Sequence, residues 1–297
     1  MRFTLLFVLL INFFCHSQTV NGFVVSDKSN KALVYANITL LSKNKGSITN
    51  KDGYFTLNLR KEEFNDSLLF SYIGYKSKII SIQDLLNNPD SPVRLLEEVD
   101  NLKEVILSVK KAKYTASKTL GFNKRGIKQK ISTAYGSEYA TLIENDKFKD
   151  GKVTGVIFHL NKNKSDLFEI YPAYFRIKFY EYNNDLDMPG KLLSHENILI
   201  KPENKSQKYK LDVSQYNILM PKNGIVVGIE VINPNIELPK NNMYAISPTL
   251  TRTQTRKPMS WSSYLGKKWH LNKRKSRVNN KFYTSMYFNL TVEFRKG

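Results

Sequence analysis

Apolar and polar residues alternate with a period of two in segment after segment of this chain, and turn residues separate the segments. Ala36, Ile38 and Leu40 point one way while Asn37 and Thr39 point the other; Phe55, Leu57 and Leu59 repeat the pattern. Phe175, Ile177 and Phe179 oppose Arg176, Lys178 and Tyr180 in the strongest case. Alternation of this kind predicts half-buried β-strands. Further strands are predicted at 20–25, 68–73, 77–82, 153–160, 197–200, 224–232 and 286–294, with residues 104–109 closing the first group. No segment carries a sustained 3.6-residue stripe. The prediction is an all-β protein of two β-sandwich domains, the second of jelly-roll type.

The first 17 residues stand outside this pattern. One arginine, Arg2, precedes an apolar run at 3–14, and Cys15-His16-Ser17 supplies small residues before Gln18. The run is shorter than the roughly 20 residues of a membrane span, so it predicts a secretory signal peptide cleaved before Gln18. An uncleaved anchor and a lipid on Cys15 are the alternatives, and the bulky Phe13 and Phe14 count against the lipid. The predicted organisation is a signal peptide at 1–17, a sandwich at 18–109, a linker at 110–130 and a second sandwich at 131–297. No other apolar run is long enough to span a bilayer, so the mature chain is expected to have no transmembrane span.

Charge divides the chain as sharply as pattern does. Residues 18–109 hold 11 Lys/Arg and 11 Asp/Glu, whereas residues 110–297 hold 34 against 15. Nearly all of the net charge of +20 belongs to the second half, which implies different partners for the two halves. Eight of these cations fall in residues 110–130 without one acid. That stretch reads as a solvated basic linker or as an arm for an anionic envelope surface. Nucleic acid is not the expected partner, because a signal peptide directs the chain away from it.

A second basic stretch carries the candidate site. Between Glu237 and Glu293 there is no acidic residue, yet Arg252, Arg256, Lys257, Lys267, Lys268, Lys273, Arg274, Lys275, Arg277 and Lys281 all lie there. Both tryptophans, Trp261 and Trp269, flank Tyr264 in it. Aromatic faces stack on sugar rings, and arginine forks suit phosphate and carboxylate. Residues 238–282 are therefore read as a long functional loop. Its predicted ligand set is Trp261, Tyr264, Trp269, Arg252, Arg256, Lys267, Lys268 and Arg274, for an anionic glycan or lipopolysaccharide. The alternatives are that Trp261 and Trp269 are buried anchors of the loop, or that the region docks onto another envelope protein.

Catalytic signatures are missing, and an enzyme is not expected. His159, His195 and His270 have no second ligand at metal spacing, and no nucleophile elbow or phosphate-binding loop occurs. No cofactor is implied. Asn183 to Asp187 offers oxygen ligands for Ca²⁺ at Asp185 and Asp187, and equally the residues of an ordinary turn. Glu169, Glu181 and Glu196 would serve a glycosidase only if two met across a cleft.

The residues Gly22-x-Val24, Ala36-Asn37-Ile38, Gly46…Thr49…Asp52-Gly53-Tyr54-Phe55 and Ile73-Gly74-Tyr75 together resemble the carboxypeptidase-regulatory-like domain, a transthyretin-like β-sandwich. The resemblance covers about 90 residues and implies a non-catalytic module. No His-x-x-Glu zinc pair of a carboxypeptidase accompanies it. The same module leads the plug of TonB-dependent outer-membrane receptors in Bacteroidota, but no plug follows here. Residues 110–297 are too few for a 22-stranded barrel. The resemblance thus implies an envelope protein, with a structural or assembly subunit of an outer-membrane complex as the second reading.

Overall fold

The computed structural model describes residues 18–98, 113–122, 129–163, 169–233 and 246–296. The expected signal peptide and the expected strand at 104–109 lie outside the described residues. Within them the chain is nearly all β, with the single α-helix Ile82–Asn87.

Two sheets make the first sandwich. Gln18–Ser26 lies between Tyr54–Leu59, antiparallel, and Val93–Leu95, parallel. The second sheet runs in the order Gly46–Ile48, Asn37–Leu40, Ser67–Ser71, Lys78–Ser81. Their inner faces bury Val24, Ile38, Leu40, Leu59 and Leu68, with Phe55 meeting Phe70 edge to face at 5.5 Å. Asp52-Gly53 forms the expected turn. Gly53 has φ +75°, and a Cβ there would come within 2.8 Å of the Val24 carbonyl, so glycine is required. Asn50 Oδ1 fixes the same turn by accepting from the amides of Asp52 and Tyr54. The strand expected at 77–82 stops at Ser81, whose hydroxyl accepts from the Asp84 amide. That N-cap starts the helix.

The second sandwich is larger. One sheet runs Met188–Leu192, Tyr174–Asn183, Ile225–Ile232, Ser137–Ile143, Ser260–Tyr264, His270–Leu271. The other runs Tyr283–Met286, Thr249–Thr255, Gly151–Asn161, Phe288–Phe294, Lys118–Gly121. Phe158, Phe175, Ile177, Phe179, Val227, Phe288 and Leu290 fill the space between them.

Two expectations change here. Part of the expected linker belongs to the second sandwich: Lys118–Gly121 pairs with Phe288–Phe294, and Gln129–Lys130 pairs with Thr249–Thr255. A sheet edge needs backbone pairing on one side only and tolerates lysine, so the strand leaves no apolar signature. The long loop expected at 238–282 contains the strands Thr249–Thr255, Ser260–Tyr264 and His270–Leu271. Thr251, Thr253 and Thr255 are buried. Threonine is a β-former that reads as polar, and its alternation was hidden for that reason.

Asn37–Leu40 is buried on both faces. So is Ile225–Ile232. In each case one face belongs to a sandwich core. At Asn37, Thr39 and Glu230 the other face lies in the seam where the two domains meet.

Candidate functional site

The seam is built from charges on the outer face of the Tyr174–Asn183 strand and its neighbours. Arg176, Lys178, Glu138 and Glu230 are all buried. Arg176 donates to Glu230 at 2.9 Å; Lys178 reaches Glu138 at 2.8 Å and Glu230 at 3.0 Å. Tyr180 donates its hydroxyl to the other oxygen of Glu138 at 2.7 Å. Four charges thus cancel in pairs, as burial requires.

The first domain completes this network. The Asn37 amide donates to Glu230 at 2.7 Å, and the Arg176 guanidinium donates to the Tyr35 carbonyl at 2.7 Å while lying over the Tyr72 ring. The turn at Leu265-Gly266 wedges against the same domain. Leu265 has φ +47° and is buried, and its carbonyl accepts from the Thr39 hydroxyl at 2.7 Å. Lys267 donates to the carbonyl of Lys43 at 2.7 Å. A Cβ on Gly46 would collide with Leu265, and one on Gly266 with Ser71.

Electrostatics follow from this burial. Desolvation pushes the Glu230 carboxyl up, but Lys178 and Arg176 outweigh it and hold the carboxyl below its ordinary range. Desolvation pulls Lys178 down, and Glu138 and Glu230 reverse that, so the ammonium stays charged. Burial and the adjacent Glu138 push the Tyr180 phenol up. A cavity of about 240 Å³ opens beside these groups. Trp269, edge-on to Tyr180 at 5.6 Å, and the Tyr72–Tyr75 pair stand in its walls.

The residues predicted from sequence do not gather into one platform. Trp261 is 2% exposed, packs on Leu142 and Val226, and donates its indole N–H to the Asp187 carbonyl at 3.0 Å. It anchors the loop and presents no face to a ligand. Tyr264 is half-buried in its strand, and its phenol is pushed up by burial. Trp269 and Lys267 line the seam cavity, whereas Lys268 is exposed beside them. Arg256 is exposed at the far end of the second sandwich, near the Lys257–Glu144 ion pair. Arg252 is half-buried, and its Nε is buried without a hydrogen-bond partner among the described residues.

Arg274 belongs to a separate feature, the hairpin at 272–282. Its arms are tied by the Thr284 amide donating to the Arg274 carbonyl and the Ser276 amide donating to the Phe282 carbonyl, both at 2.9 Å. Gln254 of the underlying sheet holds Ser276. Lys273, Arg274, Lys275, Arg277 and Lys281 are all exposed. None makes an ion pair among the described residues. Lys275 sits 3.5 Å from the centre of the Tyr283 ring. Burial, then nearby Arg274, lowers the Arg252 pKa.

The other candidates have simpler roles. Asn183 Oδ1 accepts from the amides of Asp185 and Leu186, and Asp187 accepts from Tyr182. These are turn contacts, and among the described residues no three metal-ligating side chains cluster. Glu169, Glu181 and Glu196 are each exposed. His159 stacks on Tyr287 at 4.1 Å, beside a hollow of about 540 Å³ on the outer face of the second sheet.

Sequence reading passed over Arg176, Lys178, Glu138 and Glu230. One signal was available. Ile225–Ile232 is apolar throughout except for Gly228 and Glu230. A strand so continuously apolar is buried on both faces, and its one acid must then have a buried partner.

Comparison with known proteins places the first domain. No curated protein matches the chain in sequence. Among solved structures, the chain is similar to the cysteine protease and lectin-like domains of Cwp84, a surface layer associated protein of Clostridium difficile. The identity is 11% and the TM-score 0.39, over 94% of this chain and 58% of that one. The chain thus spans less than two thirds of that neighbour, and a likeness this slight carries no argument about function. No helix among the described residues is long and apolar enough to cross a membrane. Residues 20–107, by contrast, match the family model of the CarboxypepD_reg-like domain, and the N-terminal sandwich with its Asp52-Gly53 hairpin and two-sheet core is the part of the chain that the match covers.

Proposed function

We propose that this chain is a non-enzymatic binding module of the cell envelope, and that its second sandwich holds a polyanion, an anionic glycan or lipopolysaccharide, on the hairpin at 272–282. The observation that carries the reading is the hairpin's uncompensated charge. Five exposed cations stand on one structured projection with no ion pair among the described residues, above an arginine whose Nε has no partner. At the seam, by contrast, Arg176 and Lys178 are neutralised within the chain. Phosphate or carboxylate would supply the missing counter-charge.

The site works through charge more than through stacking, because Trp261 is interior. Arg252, Arg274 and the hairpin lysines are the binding residues on this reading. Arg256 and Lys268 extend the positive field that draws a polyanion in.

Calorimetry of the full chain with lipopolysaccharide and an acidic polysaccharide, at low and high salt, tests the proposal. Saturable binding that weakens with salt is expected, since exposed charges are screened. Changing Lys273, Arg274, Lys275 and Arg277 together to Gln should reduce the low-salt affinity by about tenfold or more. Absence of binding at either salt would remove the reading and leave the assembly-subunit alternative.

A further inference from the structure

The seam cavity has its own unmet chemistry, and it differs from that of the hairpin. Its charged groups cancel: Arg176 and Lys178 against Glu138 and Glu230. A charged ligand would upset that balance. What remains is one acceptor and one donor. Asn37 is 3% exposed, and its Oδ1 is buried without a partner among the described residues, although its amide N–H is committed to Glu230. Lys178 spends two of its three protons on Glu138 and Glu230, which leaves one. Asn37 and Lys178 hold the two oxygens of the same carboxylate, and both residues line the cavity.

A hydroxyl group is the complement of that pair, because it accepts and donates through one oxygen. The walls add the other half of the recognition. Tyr72, Tyr75 and Trp269 line the cavity, and aromatic ring surface packs on the C–H face of a polyol while the hydroxyls reach the polar end. The size agrees. At about 240 Å³ the cavity far exceeds the room one water needs, about 15 Å³. It is smaller than pockets for drug-sized ligands, about 300–1,000 Å³.

We propose that the seam between the two domains binds a neutral polyhydroxylated ring, a single monosaccharide unit, with one hydroxyl bridging Lys178 and Asn37 and the ring against Trp269 and Tyr75. Both domains contribute, so the site exists only while they are docked. This is distinct from the polyanion site and does not depend on it.

Saturation-transfer NMR of the full chain with glucose, galactose and N-acetylglucosamine, in high salt, tests it. Transfer to at least one of the three is expected. Trp269→Ala should weaken it about tenfold, the scale of one lost aromatic contact. Because Trp269 also packs on Tyr180, Ser77→Trp provides a second variant. Ser77 is exposed at the cavity rim, so the bulky ring blocks the mouth without entering a core, and it should abolish transfer at an unchanged melting temperature. Arg274→Gln should leave transfer intact. No transfer to any of the three sugars would mean that the cavity holds water alone. Transfer that survives Ser77→Trp would place the sugar elsewhere. Either result overturns the proposal.

Discussion

At the seam, Arg176 and Lys178 each meet a glutamate within 3.0 Å and are nearly closed to water. On the hairpin, Lys273, Arg274, Lys275, Arg277 and Lys281 meet none among the described residues and are exposed. The residue types are the same, and the difference is whether the chain supplies the counter-charge. A buried cation without one would be driven neutral or unfold its surroundings. An exposed cation costs little and stays available to a partner. The seam charges therefore act within the molecule, and the hairpin charges are left facing solvent.

The comparison can be broken most severely at the seam. Arg176→Ala leaves Glu230 buried beside a single lysine, and should cost about 3–5 kcal/mol in denaturant unfolding. Loss of cooperativity, with the two sandwiches unfolding separately, is the accompanying sign of a broken seam. If Arg176→Ala is as stable as the parent, the seam charges are not what docks the domains.

Trp261→Ala ranks next. It removes a buried indole from the Leu142 and Val226 cluster, at about 3–5 kcal/mol. Its effect on polyanion affinity, measured under conditions where the variant remains folded, should be negligible. A selective loss of binding without loss of stability would return Trp261 to the ligand site.

Acid provides a reversible probe of the same contrast. The Glu230 carboxyl is depressed in the folded chain, so its contribution is full above the ordinary unfolded value of about 4.3 and disappears as pH falls through the lower folded value. Lys178 is shifted upward; its contribution holds below about 10.4 and is lost only as pH rises through the higher folded value. Melting temperature should thus decline on the acid side first. A melting temperature that stays flat below pH 4 would contradict the assignment. The smallest effect concerns Lys267, whose ammonium crosses the seam to the Lys43 carbonyl. Lys267→Met should cost about 1.5–3 kcal/mol at most, less where water replaces the lost contact, and should leave hairpin binding unchanged.

Most strands of the first domain were legible because their turns are local; Val93–Leu95, which pairs in parallel with Gln18–Ser26, was not. Asp52-Gly53 needs only its own backbone and Asn50, so the motif announces the hairpin. The helix at Ile82–Asn87 was not legible, since six residues carry too little periodicity to separate helix from strand. In the second domain the long aliphatic strands were plain, while the threonine strand and Ser137–Ile143 were not. The predicted site residues are spread over separate places in the fold. Lys267 and Trp269 reach the seam cavity and Arg274 reaches the hairpin, while Trp261 turns inward.

The alternating pattern by itself determined that the described residues are nearly all β, and the charge count determined that the halves of the chain differ. Both follow from each residue's own preference for water or for its neighbours along the strand. Only the tertiary structure decided which polar faces stay wet. Asn37, Thr39, Arg176 and Glu230 occupy positions that look solvent-facing along their strands, and they are buried because another domain covers them. That covering joins residues up to 226 positions apart, a separation that no local period along the chain can encode.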